Sequence, residues 1–168
     1  MNFRLATEGD LPEIKSFFGD VISDMKSKGN VIWDDVYPFC AFPEDIAKKR
    51  LYLVFDNDTL LSVFALCEWS DGEDAVEWEN NSAKPLYLYR FATNVKYLRK
   101  GIGEKVVKEA IEISKELGAE YLRLFVVKSN TPAVELYKKM GFSVAKGTFH
   151  ISMGEALTLD EYGFEMKL

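Results

Sequence analysis

Residues 119–128, AEYLRLFVVK, are too continuously apolar to make a strand with one wet face, so the chain must cover this strand on both sides. What precedes it narrows the choice further. PLYLYRFAT, residues 85–93, reads as a strand rich in aromatics, and the run after it carries Ile102, Val106, Val107, Ala110, Ile111 and Leu117 near helical spacing. Strand, helix and strand in that order place the chain in the α/β class. MNFRLA opens it as a short strand with Phe3 and Leu5 on one face. TEGDLPEIKSFFGDVISDMKSKG follows as a helix with apolar Leu11, Ile14, Phe18, Val21, Ile22 and Met25; Thr7 or Asp10 caps it, Pro12 fits its first turn and Gly29 ends it. VIWDDVYPFCAFPEDIAKKR reads as a loop with one short helix from about Pro43. LYLVFD and LLSVFALCEW flank the turn NDT as a hairpin, which makes the early part an antiparallel meander. SDGEDAVEWENNSAK is a polar, acidic connection, and the run EWSDGEDAVEWEN reads as a solvated loop or as a charge that attracts a polyamine or another amine. NTPAVELYKKMGF is a helix ending at Gly141, and FSVAKGTFHI and YGFEMKL are closing strands. No repeat, low-complexity run or linker divides the 168 residues, which read as one domain, 1–168.

The balance of charges and special residues excludes several partners. A net charge of −6 argues against nucleic acid, since phosphate contacts need a basic face. No apolar stretch reaches the length of a membrane span, and the N-terminus lacks the apolar core of a signal peptide, so no membrane partner and a cytoplasmic location are expected. Cys40 and Cys67 lie far apart without metal-ligand spacing and are expected as reduced core residues. His150 is the only histidine, which argues against a metal site and against a Ser-His-Asp arrangement.

Gly101 and Gly103 stand where the strand at 85–93 gives way to the following helix, next to Arg99 and Lys100. A helix N-terminus has unpaired N–H groups and carries about half a positive charge, and glycine lets a ligand oxygen come close to the backbone. Two readings stay open on the residues alone: an ordinary strand-to-helix turn, or a cradle for a pyrophosphate. The pair is neither a Walker loop, which needs Gly-Lys-Ser/Thr, nor a dinucleotide fingerprint, which needs a third glycine near Val106.

Taken together, three segments resemble the GNAT superfamily of N-acetyltransferases. Leu98-Arg99-Lys100-Gly101-Ile102-Gly103 is similar to the family's Arg/Gln-x-x-Gly-x-Gly/Ala motif, with Leu98 departing from its first position and Arg99 one place later. Phe91-Ala92-Thr93 resembles the Leu-Ala-Val-like end of the family's fourth strand, and NTPAVELYKKMGF resembles its Asn-x-x-Ala-x-x-x-Tyr-x-x-x-Gly-Phe signature. The resemblance covers essentially the whole chain. It implies a GNAT fold: a mixed sheet of about seven strands, an antiparallel N-terminal meander, splayed fourth and fifth strands, and flanking helices. It also implies acetyl-CoA as co-substrate with no metal, and direct attack of an amine on the thioester with both substrates bound. Phe91 and Thr93 would pair with the pantetheine, Leu98 through Gly103 would hold the pyrophosphate, and Asn130 and Ala133 would complete the coenzyme site. A donor near Phe91 or Ala92 would face the thioester oxygen, worth around 3 kcal/mol. Tyr137 would be the general acid, although Ala133, Leu136, Tyr137 and Met140 also make an apolar helix face. Asn130 is expected to cap its helix as well.

Base and acceptor are less constrained. Tyr87, Tyr89 and Phe91 alternate onto one face of their strand, and tyrosines are poor bases. Tyr89, Glu68 and Glu79 are the base candidates. VIWDDVYPFCAFPEDI is similar to the segment that walls the acceptor pocket in small-molecule members of the superfamily, which implies Trp33, Tyr37 and Tyr87 as acceptor contacts; as residues, Trp33 and Tyr37 serve equally well as loop anchors. The expected acceptor is the amine of a small molecule, an amino acid or a peptide N-terminus. A non-catalytic acyl-CoA sensor of the same fold is the alternative, and a homodimer stands as a candidate assembly.

Overall fold

Thr7 and Asp10 turn the chain from its first strand, β1 (Asn2–Leu5), into α1 (Leu11–Ser27). The Asp10 carboxylate accepts from the Thr7 amide and hydroxyl and from both terminal nitrogens of Arg4, at 2.7–2.8 Å. The computed structural model describes residues 1–152 and 158–168, and these form two compact units through which the chain passes more than once.

The first unit comprises Met1–Ala65 and Arg90–Val106. α1 buries Ile14, Phe17, Phe18, Val21 and Ile22, and α2 (Phe42–Ala47) brings Phe42 to within 4.9 Å of the Phe18 ring. β1 pairs antiparallel with β2 (Leu51–Asp56), which pairs antiparallel with β3 (Thr59–Cys67), so the expected meander is present. β4 (Val76–Glu77) precedes β5 (Pro85–Thr93), whose last residues return to this unit beside β3. There the Ser62 hydroxyl donates to the Ala92 carbonyl at 2.6 Å, and the Asn94 amide donates to Leu61 O at 2.8 Å. α3 (Ile102–Glu116) begins in this unit.

The second unit comprises Leu66–Tyr89 and Val107–Leu168. It holds the first part of β5, β6 (Tyr121–Val127), α4 (Thr131–Lys139), β7 (Ser143–Val144), β8 (Lys146–Gly147), β9 (Phe149–Ser152) and β10 (Thr158–Lys167). Its strands run β5-β6-β10-β7, with β9 also on β10; β5 and β6 are parallel and the other pairs antiparallel, so the sheet is mixed. β6 is AEYLRLFVVK covered on both faces, as its composition demands, yet it carries a wholly buried arginine. Arg123 donates to Asn80 O at 2.7 Å and to Glu165 at 3.3 Å, and lies 4.5 Å from the Trp78 ring centre.

Three expectations are corrected. The acidic connection is not simply a solvated loop: Val76 and Trp78, two residues apart, are buried, and the Trp78 ring meets Tyr87 and Phe125 edge-on. Gly72 permits this close approach, since a Cβ there would stand 2.7 Å from Phe149 and 2.8 Å from Phe125. FSVAKGTFHI is three short strands rather than one, broken at Ala145 and Thr148, and β10 starts at Thr158, ahead of YGFEMKL. β4 and β8 form a separate pair; the other described strands are seven in hydrogen-bonded order with β9 added on β10, in keeping with the expected mixed sheet of about seven. Cys67 is buried, but Cys40 is exposed, because it sits in the turn at 39–41 between Pro38 and α2 rather than on a core-facing element.

Candidate functional site

The glycine-bearing segment is positioned by the end of β5. The Asn94 carboxamide donates to Leu60 O at 2.9 Å and accepts from the Lys96 amide at 3.0 Å, which fixes the turn at 95–97. Beyond it, Arg99 (φ 60°) and Gly101 (φ 75°) are both left-handed. The reversal at two positions two residues apart curls the backbone into α3, whose first helical bond runs from Lys105 N to Gly101 O. The preceding amides have no intrahelical partner, as at any helix start. Leu98, Arg99, Lys100 and Gly101 are exposed, Gly103 is half-buried, and Ile102 is buried as the helix's first core residue. A Cβ on Gly101 would meet no protein atom within 4 Å, so the backbone there faces open space that an anion can enter. Lys100 holds its ammonium 4.7 Å from the Tyr97 ring centre.

Upstream, Phe91 and Thr93 are half-buried and Ala92 is buried. Arg90, within β5, has φ 50°, a conformation that costs a bulky L-residue about 1–2 kcal/mol. Its side chain is buried and ion-paired with Asp45, and its Nη1 stands 3.4 Å from the Tyr37 hydroxyl. Tyr37 thus has one of the protein's own arginines beside its hydroxyl. Trp33 packs on Phe18 at 5.4 Å, as a loop anchor does.

In the second unit, parallel pairing of β5 with β6 covers only Pro85–Tyr87 against Tyr121–Arg123, while β6 continues to Val127. The two strands part there, as expected of the fourth and fifth strands. Tyr87 is wholly buried against Trp78, burial pushes its phenol up to about 12, and its hydroxyl has no hydrogen-bond partner among the described residues. Tyr89 shares a 2.6 Å hydroxyl–hydroxyl hydrogen bond with Ser70. Glu68 and Glu79 are exposed. Asn130 occupies the N-cap position of α4, but its side chain makes no capping bond; its carbonyl instead accepts from Ala133 N and Val134 N at 3.1 and 3.0 Å. Ala133 is half-buried. The Tyr137 ring is buried against Phe142 and Phe164, and burial raises its phenol above the ordinary value.

One carboxyl group was not singled out from the sequence. Glu161 is half-buried on β10, cross-strand from Val127 on β6 and Phe149 on β9, and burial pushes it up to about 7. The signal was the alternation Leu159, Glu161, Gly163, legible only once the strand is known to start before Tyr162. A cavity of about 290 Å³ in the first unit is lined by Glu13, Asp20 and Asp58, a poor lining for a diphosphate.

Residues 21–142 match the model of the family described as Acetyltransferase (GNAT) family. Streptothricin acetyltransferase of Streptomyces lavendulae is 41% identical over 166 residues, covering 84% of this chain and 80% of its own length. Mycothiol acetyltransferase of Corynebacterium glutamicum is 33% identical over 79 residues, 45% of this chain, and the match spans only 27% of that relative. The fold is similar to that of a GNAT-family acetyltransferase from Streptococcus agalactiae (TM-score 0.84, 16% identity, 99% of this chain and 95% of that one). It is also similar to yncA from Salmonella typhimurium, a structure with its cofactor acetyl-CoA (TM-score 0.70, 14% identity, 100% and 94%).

Proposed function

The chain belongs to the GNAT acetyltransferase family, and from that membership we propose that it moves an acetyl group from acetyl-CoA to the primary amine of a small molecule, an amino acid or a peptide N-terminus. The observation that carries the reading is the double left-handed turn at Arg99 and Gly101, opening onto space at the start of α3. The exposed stretch from Leu98 to Gly101 and the amides at the start of α3, which lack intrahelical partners, suit a diphosphate in charge and in room, with the side chains of Arg99 and Lys100 beside them. Acetyl-CoA supplies an activated acyl group on a thiol leaving group. Phe91 and Thr93 pair their backbone with the pantetheine, and the carboxamide of Asn130, which is not used as a cap, is left for a coenzyme contact, as the family signature at Asn130 and Ala133 implies. A donor at Phe91 or Ala92 stabilises charge growing on the thioester oxygen. Tyr137 returns a proton to the thiolate.

The attacking amine must first lose a proton, because free alkylammonium groups titrate near pH 10. Glu161 suits the acceptor of that proton better than Tyr89, a phenol engaged with Ser70, or Glu68, which is exposed. A carboxyl held near 7 is half ionised at neutrality, where a general base works best. Its sign of action is fixed: the ionised form is active, so kcat/KM falls as pH drops through about 7. In Glu161→Gln that acid limb is expected to vanish and the neutral rate to drop by about 10²-fold. A pH profile of the variant that keeps the limb removes Glu161 from this role.

Across the two named relatives, streptothricin acetyltransferase matches along most of this chain, which favours a small-molecule amine as acceptor. The test is thiol release from acetyl-CoA with a panel of amines that includes streptothricin. Release that requires an amine is the expected result. Tight acetyl-CoA binding with no release for any amine would instead indicate the sensor reading.

A further inference from the structure

A left-handed residue inside a strand persists only where the surroundings over-determine it. Among the described non-glycine residues, Arg90 is the one with positive φ inside a strand; Lys49, Asn57 and Arg99 lie in turns or loops. Its side chain shows what holds it. Both Nε and Nη2 of Arg90 meet the carboxylate of Asp45, Nη2 at 2.9 Å, and Arg50 Nε reaches the same carboxylate at 2.7 Å. Asp45 is 0% exposed and Arg90 7%, so the pair is fixed in the core of the first unit, far from solvent screening. A planar fork gripped at two nitrogens fixes orientation as well as charge. Asp45 lies on α2, so a helix far back in the sequence grips β5 at its kink. A left-handed residue turns the following peptide out of the regular ladder, as in a bulge, and Phe91, Ala92 and Thr93 are the residues that follow.

We propose that Asp45 and Arg90 form a latch that holds β5 kinked so that the backbone of Phe91–Thr93 is presented to the pantetheine arm. Both are positioning residues; neither touches the ligand. The latch rests on the acetyl-CoA reading above and adds to it the device that aims the receiving strand. Arg50 pairs with the same carboxylate from the residues just after α2.

The test uses the double variant Asp45→Leu with Arg90→Met, which replaces both buried charges by apolar groups of similar volume and avoids stranding either one. The probes are coenzyme A and 3′-phosphoadenosine 5′-diphosphate, the fragment without pantetheine, titrated by calorimetry. Wild type is expected to bind coenzyme A more tightly than the fragment. The variant is expected to lose about tenfold of that preference, the worth of one or two backbone hydrogen bonds, with fragment affinity nearly unchanged. A folded double variant that keeps the wild-type preference overturns the latch and leaves the acetyl-CoA reading standing. A wild type with no preference for coenzyme A overturns the underlying reading, and the latch with it. Should the double variant fail to fold, Arg90→Lys, which keeps the charge and loses the fork, reads the same ratio with a smaller expected shift. A preference unchanged in that variant too counts against the latch. Arg50→Gln is the control: it weakens the same buried cluster, and the preference is expected to stay as in wild type.

Discussion

Replacing Tyr137 with phenylalanine is expected to lower kcat by about 10²–10³-fold while the Kd for acetyl-CoA stays within about twofold. The substitution removes one oxygen and keeps the ring, which is 6% exposed and lies 5.7 Å from Phe142 and 6.0 Å from Phe164. Burial raises the phenol above its ordinary value of about 10, so Tyr137 keeps its proton across the neutral range and serves as donor rather than base. A thiolate leaving group needs that proton, and a positioned acid typically accounts for a loss of this size when removed. The pH profile separates this role from packing. A phenol displaced upward leaves turnover flat through pH values near 10, where an ordinary tyrosine would already be losing its proton. Tyr137→Leu, which breaks the ring contacts, is expected to lower Tm in addition to kcat, whereas the phenylalanine variant leaves Tm nearly in place. Steady-state kinetics beside calorimetric titration read both quantities. Wild-type turnover in the phenylalanine variant would take Tyr137 out of the chemistry.

The features legible in the sequence are those the backbone or a single face dictates locally. The glycine at 101 could be read as a special turn because its left-handed φ is open to few other residues, and that is where the structure has it. AEYLRLFVVK announced a doubly covered strand by composition alone. The early meander followed from alternation around the turn at Asn57. What stayed hidden depends on partners distant in sequence. Nothing in YRFAT marks Arg90 as left-handed: it is neither glycine nor asparagine, and the group that grips it is Asp45 on α2. Trp78 looked like part of a solvated acidic run because its neighbours are charged, yet its burial is set by Phe125 on β6 and Arg123 beneath it. Asn130 shows the converse. A cap was expected from residue type and position, but the backbone carbonyl took the helix's first bonds and left the carboxamide out. Glu161 became visible only when β10 proved to begin at Thr158, which turns an apparent loop acid into one held against the sheet.

Gly101→Val is expected to raise the Kd for coenzyme A by about 10²-fold, the worth of one or two lost charge-assisted hydrogen bonds to a phosphate. Two costs are mixed in that substitution, and the chain contains its own means of separating them. One is strain: a β-branched residue at φ 75° costs about 1–2 kcal/mol and lowers Tm by a few degrees whether or not a ligand is present. The other is steric. The added Cβ, its chain neighbours aside, meets nothing within 4 Å, so the space that the side chain starts to fill is the space a ligand would use. Gly118, just beyond α3, has φ 77° and equally open surroundings. Gly118→Val therefore carries the same strain with no phosphate to obstruct, and it is expected to lower Tm alike while leaving coenzyme A affinity unchanged. The fragment lacking pantetheine sharpens the result. Gly101→Val should weaken coenzyme A and 3′-phosphoadenosine 5′-diphosphate by the same factor, because both carry the diphosphate, whereas loss of the Asp45–Arg90 latch should weaken coenzyme A alone. Equal losses at Gly101 and Gly118 would mean that strain, not a phosphate cradle, explains the effect. Unchanged affinity in Gly101→Val would mean that the open turn at the start of α3 is only a turn.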